Sequence, residues 1–281
     1  MENLQTIAEQ LFDVQKVQLT PTVAGFDIPQ AFGIYTDKGK VLGVVGNQYT
    51  PTQPADLMSN FIECLGEGND ANLDRLTYNE MKGGSKISFA APFKTIAFKN
   101  IRGVMDETEV SINLQTGYDG LTKTSLYLST YRLICSNGMK ANRTEFTASF
   151  KNTAGNQHKI GSICADVARS LSMFDTLEES IKHLNSVPVN QLAVKNFLRE
   201  LSGTDIDKGE ENSTRAINIY NEMLQSIEIE FARTGASAWG LLNGITYYTN
   251  HVASAENRQD FILLDRGEKL NRVAQELVSR M

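Results

Sequence analysis

The stretch Glu109-Val-Ser-Ile-Asn-Leu-Gln-Thr116 decides the fold class of this 281-residue chain. Val110, Ile112 and Leu114 point one way, and Ser111, Asn113 and Gln115 the other. That two-residue period is the mark of a half-buried strand. Downstream, Gly117-Tyr-Asp-Gly120 reads as a turn, and residues 122–133 repeat the alternation through Leu126 and Leu128. Ser136-Asn137-Gly138 breaks the pattern, and residues 144–150 resume it with Phe146, Ala148 and Phe150 on one face. Upstream, residues 76–81 and 86–91 flank Lys82-Gly-Gly-Ser85, whose glycines supply positive φ for a turn, and residues 95–99 make a short strand. Residues 31–36 and 40–46 flank Asp37-Lys-Gly39, a hairpin signal.

Helical periodicity surrounds this strand-rich block. Leu4, Ile7, Ala8, Leu11 and Val14 predict an amphipathic helix over 3–18. Pro54 opens a helix carried by Leu57, Met58, Phe61, Ile62 and Leu65 and ended by Gly66. Residues 160–174, 177–184 and 189–201 read as helices, and 202–212 as a polar, acidic loop. Ser213 caps a long helix that Thr234-Gly235 stops, and helices follow over 239–252 and 268–281. The expected architecture is α+β: a mostly antiparallel, curved sheet with an inserted helix, flanked by an N-terminal helix and a helical C-terminal third. Residues 1–174 would form the strand-rich core and 175–281 the helical region.

Composition excludes several classes. With 41% hydrophobic and 21% charged residues the chain supports a buried core. No apolar run approaches a membrane span, and Met1-Glu2-Asn3 lacks the basic start of a secretory signal. Three cysteines without a C-x-x-C pattern argue against a disulfide scaffold or structural zinc and for a reducing compartment. The net charge of −6 is segregated: residues 82–104 and 121–164 each carry +5, leaving −16 for the rest. This suggests one positive surface on a negative body, or basic and acidic segments that pair in the fold.

Four stretches carry a resemblance. They are Lys40-Val-Leu-Gly-Val-Val-Gly-Asn-Gln-Tyr49 with Thr50-Pro-Thr-Gln53, Gly117-Tyr-Asp-Gly120, Tyr131-Arg-Leu-Ile-Cys-Ser-Asn-Gly138, and Trp239-Gly-Leu-Leu-Asn-Gly-Ile-Thr-Tyr-Tyr-Thr-Asn-His251. Their order and spacing resemble the phage/plasmid-like protein family, a domain of unknown function found on bacteriophages, plasmids and other mobile elements. The order of helix, hairpin, helix, strands with basic turns and helices is also similar to single-strand annealing proteins of phage recombination. That likeness implies assembly into rings or filaments, and a fold-level analogy assigns no site residues.

The leading functional expectation is binding and annealing of single-stranded DNA by a homo-oligomer in the cytoplasm of a bacterial host. Such binders need cations along the phosphate backbone and aromatic faces under the bases. Lys123, Arg132, Lys140, Arg143 and Lys151 supply the first, and Tyr118 and Tyr127 the second. Lys82 and Lys86 add a basic turn without the full phosphate-loop pattern. Partners would be single-stranded DNA, further copies of the chain, and a phage exonuclease or strand-binding protein, with no membrane. No cofactor and no metal are expected. Cys135 and His251 are the only enzyme candidates and read better as packing residues. Asp205, Asp207, Glu210 and Glu211 would hold a hard cation or simply form an exposed acidic loop. The alternative function is a structural or assembly protein of a mobile element, whose strands add to a neighbour's sheet edge.

Overall fold

The computed structural model describes residues 2–20, 30–66, 71–132, 137–140, 147–155, 174–253 and 266–280. The architecture is α+β, with antiparallel sheets and a helical C-terminal part. Two compact units divide the chain. The first comprises residues 1–94, 110–129 and 143–173, and the second 95–109, 130–142 and 174–281.

In the first unit, α1 (Glu2–Gln10) leads into β1 (Val14–Gln18), β2 (Phe32–Thr36) and β3 (Val41–Val45), a sheet of order β1-β2-β3. The helix expected over 3–18 therefore ends early, and its last five residues are a strand. The reason is tertiary. β1 pairs with β2 from Val14↔Thr36 to Gln18↔Phe32. The Gln53 side chain accepts from Val14 N at 3.0 Å and donates to Val14 O at 2.9 Å, imitating a further strand. Pairing along its whole length with β2 outweighs the weak helical preference of a segment with two β-branched valines. The β2–β3 hairpin closes as expected at Asp37-Lys-Gly39, through Thr36 N to Lys40 O at 2.9 Å.

Helix α2 (Pro54–Gly66) buries Leu57, Met58, Phe61 and Leu65 of the expected face, with Cys64 in addition and Ile62 half-buried. Cys64 is disulfide-bonded, against the expectation of reduced cysteines. A larger sheet follows, in the order β4-β5-β6-β7-β8, with β9 also paired to β7. Its strands are β4 (Thr77–Met81), β5 (Lys86–Lys99), β6 (Met105–Gly117), β7 (Thr124–Arg132), β8 (Asn137–Lys140) and β9 (Thr147–Phe150). β5 absorbs two segments that the sequence separates at Pro92. β8 occupies Asn137-Gly138, where a break was expected. The β4–β5 turn holds three consecutive positive φ angles, at Lys82 (49°), Gly83 (64°) and Gly84 (90°), so glycine is needed at two of its positions. The helix expected over 160–174 lies outside the described residues up to Phe174.

In the second unit, α3 (Phe174–Ser186), α4 (Gln191–Ser202), α5 (Thr214–Thr234), α6 (Ala238–Tyr247) and α7 (Arg266–Val278) follow one another. Side chains of Asn190, Ser213 and Ser237 cap three of them by accepting a backbone N–H three residues on. A π-helical turn, Tyr248–Val252, continues α6. Among the described residues no helix is long and apolar enough to cross a membrane.

Candidate functional site

Asn152, just after β9, organises one end of the first unit. It is buried, and its amide Nδ2 donates to Gly117 O (3.2 Å), Thr116 Oγ1 (3.3 Å) and Thr122 O (3.3 Å). Its Oδ1 accepts from Thr124 Oγ1 at 2.5 Å, and its backbone O from Thr50 N at 3.0 Å. One residue thus ties together the loop 46–53, through its backbone carbonyl, and the turn 117–123, through its side chain. The Thr116 and Thr124 hydroxyls share a further bond of 2.8 Å.

Two tyrosines complete the frame. Tyr49 OH donates to Gly117 O at 2.6 Å, and Tyr49 forms a bridge with Thr153. Tyr118 OH donates to Thr52 O at 3.0 Å, while Tyr118 N donates to Ser85 O at 2.7 Å. Burial pushes both phenols well above their ordinary value, so both stay neutral donors. Gly43 in β3 lets this turn come close: a Cβ there would lie 2.5 Å from Tyr118 O.

Asp119 shapes the turn itself. Its carboxylate accepts from Leu121 N (3.0 Å), Thr122 N (2.7 Å) and Thr122 Oγ1 (2.8 Å), and Lys86 Nζ lies 3.9 Å away. Burial works to raise this carboxyl, but the Thr122 and Leu121 hydrogen bonds, with Lys86, together hold it below its ordinary value.

Above this frame opens a cleft of about 560 Å³, lined among others by Gln30, Asn47, Gln48, Leu121, Lys123 and Lys151. Lys123 and Lys151 are exposed and reach it from separate segments of the chain. Leu121 stands 89% exposed on its rim. Gln30 holds a φ of 76°, a conformation that costs a non-glycine residue about 1–3 kcal/mol. Lys16 braces one wall: its Nζ donates to Asn47 O at 2.6 Å and Tyr49 O at 2.7 Å and lies 4.3 Å from the centre of the Phe32 ring. Desolvation lowers its pKa. The cleft therefore brings two lysine side chains beside fixed amides and carbonyls, an arrangement suited to an anionic, extended ligand.

The residues expected from sequence divide clearly. Lys123 and Lys151 meet at the cleft. Lys86 lies beside it, held by Asp119, and Lys82 is exposed on the neighbouring turn. Tyr118 and Tyr127 are core residues, 0% and 8% exposed, so neither offers a ring face to a base, and the stacking expected of them is corrected. Both faces of β7 are covered here, because the consecutive residues Leu126, Tyr127 and Leu128 are all buried, and Tyr127 OH donates to Gln115 Oε1 at 3.4 Å. Lys123 stays exposed because it precedes the first paired residue, Thr124. Arg132 and Lys140 lie by their backbones in β7 and β8. Arg143 and Cys135 lie outside the described residues.

Sequence reasoning missed Lys16, Gln53 and Asn152. The first was assigned to a helix, and the other two carry no local signal, because the partner of Gln53 is 39 residues away and those of the Asn152 side chain are 28 to 36 away. In the acidic loop, Asp207 pairs with Lys195 at 2.5 Å and Asp205 lies 4.0 Å from Arg199. Among the described residues no group of three or more acids, histidines or cysteines is placed to hold a metal ion.

Residues 41–274 match one protein family, described as Domain of unknown function (DUF932). No curated protein and no solved structure matches the chain.

Proposed function

The chain belongs to the DUF932 family, a domain of unknown function, and on that premise we propose that the cleft of the first unit binds the phosphate backbone of single-stranded DNA and presents it for annealing. The observation that carries this reading is the convergence of Lys123 and Lys151 on one open cleft, framed by the loops 46–53 and 117–122. Two ammonium groups there would replace condensed counterions and lower the repulsion between complementary strands. Backbone contacts carry no base preference, so recognition would be sequence-tolerant. No covalent step is required. A phage or other mobile element as the source, the host cytoplasm as the place of action, and an exonuclease or strand-binding protein as partner belong to the same proposal.

Fluorescence anisotropy with single- and double-stranded oligonucleotides, together with an annealing assay on complementary strands, tests it. Preference for single strands with accelerated annealing supports the reading, and absence of binding at low salt rejects it.

One observation favours the assembly alternative. Val17, Val41 and Val44 are 47%, 57% and 60% exposed on the three-stranded sheet. The register Val17↔Gly33↔Val44 sets two of them on the same face. Covering such a face by another copy would bury apolar area. Light scattering on the wild type and on Val44→Lys separates the cases: a change in mass on substitution, with DNA binding absent from both, favours the structural role.

A further inference from the structure

The stretch 239–251 leaves one feature that the cleft does not use. The nine residues of α6 before Tyr247 are all buried. Tyr247 and His251 then emerge half-exposed at the point where the helix widens into its π-turn. Their rings lie 4.8 Å apart at 43°. The Arg233 guanidinium lies 5.6 Å from the centre of the Tyr247 ring. Arg233 is itself held by Glu230, whose fully buried carboxylate lies 3.0 Å from it. A guanidinium, a phenol ring and an imidazole are thus grouped at the surface of the second unit by groups already fixed in its core.

We propose that Arg233, Tyr247 and His251 form a stacking site for the planar ring of a nucleobase. A π-face beside a fixed cation attracts flat heteroaromatic rings, and stacking on such a face is tolerant of base identity. π-turns within helices are frequent at functional positions, and this one begins just after Tyr247 and carries His251. The site supplies the aromatic contact that Tyr118 and Tyr127 cannot, because those rings are buried. It extends the reading of the lysine cleft but stands on different residues, in a different unit.

The test uses the whole chain and adenosine, which carries no phosphate and so does not depend on the lysines. The chain has three histidines, so its imidazole Hε1 signals are few enough to follow by proton NMR. Adenosine should move the His251 signal saturably by ring current and leave the signals of His158 and His183 in place. His251→Gln assigns that signal, and should this variant not fold, His158→Gln and His183→Gln assign it by elimination. Tyr247→Leu, checked by circular dichroism, should weaken the effect about tenfold, while Tyr247→Phe should preserve it. An oligo-dA strand that moves the same signal at lower concentration identifies the base of a polynucleotide as the source, and equal affinity identifies a free nucleoside. A His251 signal that does not respond to adenosine, or a response unchanged in folded Tyr247→Leu, overturns the proposal. Failure of the cleft reading is distinguished because it would abolish the dependence of oligonucleotide binding on Lys123 and Lys151 while leaving the adenosine response intact.

Discussion

Replacing Asn152 by alanine tests whether one amide holds the cleft frame together. Its side chain makes four hydrogen bonds, to Thr116, Gly117, Thr122 and Thr124. At about 1 kcal/mol net per bond the ceiling is about 4 kcal/mol. Some partners survive its loss: Gly117 O still accepts from Tyr49 OH at 2.6 Å, and Thr124 keeps Thr116 at 2.8 Å. Three of the four bonds are also long, at 3.2 to 3.3 Å. The expected destabilisation is therefore about 2–3 kcal/mol. Asn152→Asp keeps an acceptor for Thr124 but turns its second oxygen toward the oxygens of Thr116, Gly117 and Thr122. It should cost at least as much as alanine. Equilibrium urea unfolding followed by far-ultraviolet circular dichroism gives both values. A loss below about 0.5 kcal/mol for Asn152→Ala, or an aspartate variant as stable as wild type, would refute the argument.

Further consequences can be measured in the same way. Because the Asp119 carboxyl titrates below its ordinary value of 3.8, its contribution to stability is complete above that pH and is lost as pH falls through the lower, folded-state value. The melting-temperature gap between wild type and Asp119→Asn should accordingly be full at neutral pH and narrow as the solution is acidified below 3.8, and a gap that stays constant on acidification contradicts the assignment. Gly43→Ala forces a Cβ against the Tyr118 carbonyl and should cost about 1–3 kcal/mol in urea unfolding, with a neutral result arguing against the close approach. Tyr127→Ala removes a core side chain and should cost about 3 kcal/mol while leaving the DNA affinity of folded protein unchanged. Lost affinity at intact stability would return Tyr127 to the DNA surface.

Local pattern carried most of the fold. The strand over 109–116, the Asp37-Lys-Gly39 turn and the caps at Ser213 and Gly235 all appear where the sequence sets them, because each depends on neighbours in the chain, although the polar Ser111 and Asn113 of that strand are buried rather than facing water. Val14–Gln18 was misread because its strand character comes from Gln53 and β2, not from its own periodicity. The Asn137-Gly138 strand was missed for a similar reason: turn-forming residues accept a strand when a neighbour supplies the pairing. At the site, exposed lysines were legible because charge seeks water. Tyr127 was not, since alternation tells which residues share a face but not whether both faces are covered.

The central claim is that Lys123 and Lys151 together contact DNA phosphates. Its most direct test is the salt dependence of single-stranded oligonucleotide binding in the double variant Lys123→Ala/Lys151→Ala. Each lost phosphate contact on a single strand lowers the slope of log K against log salt by about 0.7, so the account predicts a slope shallower by about 1.4 with the fold intact. A slope equal to that of wild type would contradict it.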